Sequence, residues 1–301
     1  MTMTQRLRGV IAAITTPVTA AHEPDLPRFV DRARHLLANG CDGLNVLGTT
    51  GEATSFSLTQ RLSVMNAAAD AGLPLSRMMV GTGAAAVADA VALSHEAGRL
   101  GFAGALVLPP FYYKPITDEG VVRVFDAIVE ATAASAIPIY LYNFPALSGT
   151  LYSRDLVATL LTLFGERMAG LKDSSGDLAY ASEIAALSPS FDVFPSNEGT
   201  LLSARGDGPY AGCISATANL NSPDCALTYR DGDQAALKRA VAVRALFDGL
   251  PLVPGIKALV AHTTGVADHG RTVAPLAPLT KEQWSLLKAR FDALSVASPA
   301  A

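Results

Sequence analysis

Met168-Ala169-Gly170-Leu171-Lys172-Asp173-Ser174-Ser175-Gly176 is a short apolar run that ends in one lysine and then turns polar and glycine-bearing. An amine at the end of a buried strand loses hydration. That loss disfavours the ammonium form, so the free amine becomes available to attack a carbonyl. The expected product is a Schiff base between Lys172 and a 2-oxo acid. Two further stretches supply what such chemistry needs. Leu47-Gly48-Thr49-Thr50-Gly51-Glu52 reads as a strand running into a tight turn. Its backbone N–H groups and two hydroxyls suit a carboxylate. Ile139-Tyr140-Leu141-Tyr142-Asn143-Phe144-Pro145 ends a second apolar strand with a phenol, Tyr142, that can move protons. Most lysines are solvated surface charges with no chemistry, so the case depends on elements that bring these stretches together.

The elements do so. An apolar run at 10–17 stops at Pro17, and residues 25–39 follow with Phe29, Ala33, Leu36 and Leu37 at helical spacing before a Gly40 suited to end a helix. The pattern recurs. Strand-like runs at 43–47, 78–81, 104–109, 138–142, 168–172, 192–195 and 213–216 alternate with helical stretches at 58–71, 85–100, 118–134, 153–164 and 177–187. Counting the first, these are eight short apolar runs spaced by roughly 20 to 35 residues, as repeated βα units would be. Strands this apolar are buried on both faces, which argues for a parallel sheet. We therefore expect an α/β fold, a (β/α)8 TIM barrel over residues 1–221, with a C-terminal helical region over 222–301 packed on it. Helices are expected there at 222–229, 234–247, 255–263 and 280–294, the last with a capping box in Thr280-Lys281-Glu282-Gln283, and a frayed end at 295–301. An open doubly wound sheet with a second domain is the structural alternative, although no dinucleotide fingerprint follows the first run. In a barrel, Thr49, Thr50, Tyr142 and Lys172 all fall at C-terminal strand ends, the face that carries active sites.

Composition narrows the function classes. Half of the 301 residues are hydrophobic and 17% are charged, enough for a large core with little sign of disorder. A net charge of −4 offers no basic field for nucleic acid. The polar start at residues 1–8 lacks the apolar core of a secretion signal, and no uninterrupted run approaches a membrane span. A cytoplasmic protein is expected. Cys41, Cys213 and Cys225 are odd in number and far apart, read as buried thiols; with His22, His35, His95, His262 and His269 they form no metal-ligand spacing. No cofactor or metal is expected.

Taken together, Gly48-Thr49-Thr50-Gly51-Glu52, Leu108-Pro109-Pro110-Phe111-Tyr112-Tyr113, Tyr142-Asn143-Phe144-Pro145 and Gly170-Leu171-Lys172-Asp173-Ser174-Ser175-Gly176 stand in the order found in a known family. The chain resembles, over nearly its whole length, the dihydrodipicolinate synthase and N-acetylneuraminate lyase family of pyruvate-handling class I aldolases. The resemblance implies that Lys172 forms the Schiff base, that Thr49 and Thr50 hold the carboxylate, and that Tyr142 is the proton-transfer phenol. It also implies a hydroxyl relay that includes Thr50 and is supported by Tyr112 reaching across a subunit interface, in a homotetramer or homodimer. The catalytic set is thus Lys172, Tyr142, Thr50 and Tyr112, and the substrate-binding set Gly48, Thr49, Thr50, Leu147, Ser196, Asn197 and Ile214. Glu52 is expected to pin the turn, because a second charge beside a carboxylate site would oppose substrate. Lys257, in Pro254-Gly255-Ile256-Lys257, is the rival lysine; it is expected away from the rim and without a covalent role.

Departures from the family bear on the substrate. Where the lysine-biosynthesis enzymes carry an arginine for a second carboxylate, Pro145-Ala146-Leu147-Ser148-Gly149 places Leu147, which offers no donor. The acidic pair by which sialic-acid lyases grip a polyhydroxy tail is not reproduced in Ser196-Asn197-Glu198-Gly199-Thr200, and Ala216 stands at a hydroxyl position. Ser196, Asn197, Glu198, Thr200 and Ser215 remain to recognise a smaller hydroxylated chain. The expected activity is reversible aldol cleavage of a 2-oxo-3-deoxy sugar acid, or a related 2-oxo acid, into pyruvate and an aldehyde. Dehydration of such an acid, the two named family activities proper, a phosphate-binding barrel, and a binding protein that turns nothing over are the alternatives.

Overall fold

The computed structural model describes residues 6–297. Eight strands form one all-parallel sheet: β1 (Gly9–Ala13), β2 (Gly43–Val46), β3 (Met78–Gly81), β4 (Gly104–Val107), β5 (Ile139–Asn143), β6 (Met168–Asp173), β7 (Asp192–Pro195) and β8 (Gly212–Ser215). Each strand from β1 to β6 pairs with its successor, and β8 pairs back onto β1. The remaining seam, between β7 and β8, is bridged by a hydrogen bond from the Ala211 amide to the Val193 carbonyl at 2.9 Å. The result is a (β/α)8 barrel.

Around it run α1 (Leu26–Ala38), α2 (Leu58–Asp70), α3 (Val87–Leu100), α4 (Asp118–Ala131), a single turn α5 (Pro145–Ser148), α6 (Arg154–Phe164), α7 (Leu178–Ala185) and α8 (Ala218–Asp231). The C-terminal extension adds α9 (Gln234–Ala245), α10 (Leu252–Thr264) and α11 (Lys281–Ala297). Local chemistry sets their ends. Asp25 accepts from the Arg28 amide to start α1, Gly40 takes φ +103° just past its end, and Ser57 with Gln60 forms a reciprocal capping box on α2. Thr280 and Gln283 form the same box ahead of α11, at 2.9 and 3.2 Å.

Because successive side chains in a strand point to opposite faces, each strand contributes to two cores. Ile11, Met79, Leu106, Tyr140, Phe194 and Ile214 fill the barrel, while Val10, Leu44, Val80, Val107, Leu141 and Val193 face the helices. A third core joins Leu246, Phe247, Ile256, Leu259 and Leu287 of the extension to Ala216 and Leu220 beside β8. The C-terminal helices are therefore packed onto the barrel rim after β8.

The structure differs from the sequence reading mainly at element ends. β1 stops at Ala13, short of Pro17, and the turn α5 after β5 is additional. α8 begins at Ala218 and runs through the expected boundary at 221/222. Its backbone is non-helical at Asn221 (φ −118°, ψ 17°), just ahead of Pro223, which cannot donate into a helix and crowds the preceding turn. α10 starts at Leu252, so Pro254 sits in its first turn, where a missing N–H costs nothing. Residues 1–5 of the polar start and 298–301 of the expected frayed end lie outside the described residues. Among the described residues no helix is long and apolar enough to cross a membrane. Cys41, Cys213 and Cys225 are free and buried, and burial pushes the Cys41 thiol up to about 11.

Candidate active site

The register of β5 against β6 pairs Tyr142 with Lys172, so phenol and amine project into the barrel in the same layer. Both are buried, Lys172 being 3% exposed. The Lys172 Nζ sits 4.3 Å from the centroid of the Tyr142 ring and donates to Asn45 Oδ1 at 3.3 Å. Asn45 is the inward residue of β2 and fully buried, held also by a 3.4 Å bond from its Nδ2 to the Val46 carbonyl. Gly48 makes room for it: a Cβ there would lie 2.7 Å from Asn45 Oδ1. The Tyr142 hydroxyl meets the Thr49 hydroxyl at 2.9 Å, and either oxygen can donate. The structure thus places Thr49, rather than Thr50, directly against the phenol.

Asp173, next after the lysine, anchors the loop that follows. Its carboxylate accepts from Asn143 Nδ2 at 2.8 Å, from the Ser175 hydroxyl at 2.9 Å and from the Ser175 amide at 3.1 Å. Burial raises its pKa above the usual carboxylate range, against the downward pull of these donors.

The Thr49-Thr50 turn needs unusual backbone. Leu47 and Glu52 flank it with φ of +52° and +57°, a region that side-chain-bearing residues rarely adopt. β3 comes close enough that a Cβ on Gly81 would lie 2.0 Å from the Leu47 carbonyl oxygen. Glu52, fully inside, holds the shape: its carboxylate accepts from the Val273 amide at 2.7 Å and from Lys257 Nζ. Lys257 also donates to the Thr16 carbonyl at 3.0 Å. This corrects the expected location of Lys257. It does not lie away from the rim but reaches down from α10 to clamp the turn, with its amine committed to an ion pair. Burial pushes the Lys257 ammonium below its ordinary range while Glu52 pulls it back up.

A cavity of about 400 Å³ opens on Lys172. Thr49, Thr50, Tyr142, Ser196, Asn197 and Ile214 line its barrel side, and Arg244, Phe247, Asp248, Leu252 and Val253 of the extension line the other. A smaller cavity of about 250 Å³, more apolar, adjoins it across Thr49 and Tyr142, and it is there that Gly48 and Leu147 lie. Tyr112 belongs to neither wall. It is 74% exposed and packs edge-on against Tyr113. Ser196 is bonded to Ser174 at 2.8 Å. Glu198 is buried away from the cavity, its carboxylate taken by the Ser215 and Thr217 hydroxyls and by Arg244. Among the described residues no group of three or more His, Cys, Asp or Glu side chains is placed to hold a metal.

Asn45 and Arg244 are among the residues at this site that were not read from the sequence. Asn45 had a visible signal, a polar residue in the middle of Gly43-Leu44-Asn45-Val46. Arg244 had none, since it lies on a helix 72 positions beyond Lys172 (244 − 172) and only the fold brings it to the cavity.

Comparison with known proteins agrees with this fold. The sequence profile of the dihydrodipicolinate synthetase family matches residues 6–294. An uncharacterized DapA-like lyase from Chloroflexus aurantiacus is 33% identical over 292 residues, 95% of this chain and 96% of its own length. The crystal structure of dihydrodipicolinate synthase from Agrobacterium tumefaciens superimposes with a TM-score of 0.87 at 30% identity, covering 95% of this chain and 99% of its own. That of YagE, a prophage protein of the dihydrodipicolinic acid synthase family from E. coli K12 in complex with pyruvate, does so with a TM-score of 0.84 at 25% identity. It covers 96% of this chain and 98% of its own.

Proposed function

The chain belongs to the dihydrodipicolinate synthetase family, and from that premise we propose that Lys172 forms the Schiff base through which it cleaves 2-oxo-3-deoxy sugar acids or related 2-oxo acids. At the level of class it is a Schiff-base lyase acting on a pyruvate-type 2-oxo acid. In our reading the substrate carboxylate rests on the Thr49-Thr50 turn and the Lys172 amine attacks C2. Loss of water leaves an iminium. Its positive nitrogen draws the electrons of the C3–C4 bond, so that bond breaks as the C4 hydroxyl gives up its proton, the aldehyde leaves, and an enamine remains. Protonation at C3 and hydrolysis return pyruvate and the free amine. Tyr142 with Thr49 is the proton path, because each hydroxyl both donates and accepts.

The observation that carries this reading is the setting of the amine: buried, over the Tyr142 ring, with a neutral oxygen as its hydrogen-bond partner and a cavity in front of it. Leu147, 64% exposed and without a donor, disfavours the synthase that gives the family its name. We further read the protein as a cytoplasmic homotetramer or homodimer in which the exposed Tyr112 faces a partner subunit; sizing that yields only monomer removes that part. The test of the chemistry is intact mass after borohydride reduction with pyruvate and with 2-oxo-3-deoxygluconate, on the wild type and on Lys172→Ala. A pyruvate-mass adduct from the longer acid, absent in the variant, is expected. An adduct lighter by one further water than the reduced imine of the intact longer acid would make the protein a dehydratase, and no adduct at all would leave a binding protein.

A further inference from the structure

The cavity carries a second cation that the reaction above does not use. Arg244, in the last turn of α9, lines it together with Ser196, Asn197 and Thr217. Its guanidinium is anchored from behind, Nη1 donating to Glu198 Oε2 at 3.1 Å. Glu198 is wholly buried, and its Oε1 accepts from the hydroxyls of Ser215 and Thr217. The carboxylate that the sequence grouped with the readers of a hydroxylated chain is therefore spent on bracing an arginine.

An arginine presents five donors in a planar fork that matches a carboxylate or phosphate edge. Glu198 is its protein partner among the described residues, and the side chain stays 41% exposed, so most of the fork is free to meet a ligand. Once Lys172 has become the imine, Arg244 is the other Lys or Arg side chain on this wall among the described residues. Asp173, on the same wall, is committed to Asn143 and Ser175, whereas Asp248 works against an anion. The volume, about 400 Å³, exceeds what pyruvate needs and falls in the range of ordinary ligand sites.

We propose that Arg244, braced by Glu198, binds an anionic group at the far end of the substrate, so that the protein acts on 2-oxo acids bearing a distal carboxylate or phosphate. The proposal rests on the Schiff-base reading and names the substrate class of that same site. Its donor comes from α9, in the larger cavity, whereas Leu147 lines the smaller one.

The test is borohydride trapping with pyruvate, 2-oxoglutarate, 2-oxo-4-phosphonobutanoate and the uncharged-tail 2-oxovalerate, read as half-saturating concentration. In the wild type, one dianion should be captured at about tenfold lower concentration than 2-oxovalerate. Which one it is tells carboxylate from phosphate. Arg244→Leu should erase that preference, Arg244→Lys should keep part of it, and Asp248→Asn should enlarge it. Added salt should weaken it in the wild type, a check independent of how any variant folds. Equal capture of the dianions and 2-oxovalerate by the wild type, or a preference that survives in Arg244→Leu, would overturn the proposal. Failure of the wild type to form even the pyruvate adduct would instead sink the Schiff-base reading, and this proposal with it.

Discussion

Two buried lysines stand under the same rim, and their surroundings differ in two respects. Lys257 is 0% exposed and faces a carboxylate, Glu52; Lys172 is 3% exposed and faces an amide oxygen, Asn45. A carboxylate holds an amine as ammonium far more strongly than a neutral amide oxygen does. Lys257 is also walled in by Thr16 and the loop at Val273, while Lys172 opens on a cavity and a phenol. Burial alone does not make a nucleophile. What counts is burial with a neutral partner and a place for the carbonyl to arrive.

The comparison breaks most visibly if the structural lysine is removed. Lys257→Met strands a buried carboxylate, so urea unfolding should show a loss of about 3–5 kcal/mol, mostly recovered in the Glu52→Gln/Lys257→Met double variant. A Lys257→Met protein that keeps its stability yet loses the pyruvate adduct would reverse the two assignments. Next in size is Tyr142→Phe, which leaves Lys172 its cavity but removes the proposed proton path. Turnover should fall about 100-fold or more while the trapped adduct still forms, if slowly. Sharper is Asn45→Asp, which gives Lys172 the kind of partner Lys257 has. At fixed pH adduct formation should slow about tenfold, because the new carboxylate ties the amine up in an ion pair. Asn45→Leu, losing one hydrogen bond of about 1 kcal/mol, should slow adduct formation roughly fivefold.

The smallest effect concerns the clamp. His269 is buried close to it, and burial first, then Arg32, Arg28 and Lys257, hold its pKa below the ordinary 6.5, with Asp25 opposing. The unfolded chain therefore takes up this proton first, so the contribution to stability is complete above about pH 6.5 and is lost as pH falls below it. Melting temperature followed from pH 7.5 to 5.5 should show that decline, and His269→Gln should flatten it.

Much of this was legible in the sequence because chemistry and punctuation coincide there. Period and turn residues marked eight βα repeats, and the strand ends carried Lys172, Tyr142 and the Thr49-Thr50 turn to one rim. The rest depended on distance in sequence. Nothing in Pro254-Gly255-Ile256-Lys257 shows that its lysine meets Glu52, because that contact exists only when the extension folds back over the barrel. Glu198 shows the opposite failure: its type and position suggested a substrate ligand, and only the hydroxyls of Ser215 and Thr217 reveal that it is occupied. The contact of Thr49 rather than Thr50 with Tyr142 turned on side-chain direction within a strained turn, which residue types do not encode.

Glu52 and Lys257 are 205 positions apart, and the same carboxylate also waits for the amide of Val273. A ribosome delivers these partners in order. When β8 has emerged, every strand of the barrel is available, yet neither the clamp on the Thr49-Thr50 turn nor the wall that holds Arg244 has been synthesised. The nascent chain can thus assemble its scaffold without acquiring a working imine trap. The clamp closes only once Val273 is available, and proteolysis that strips α10 and the loop at Val273 would take it away.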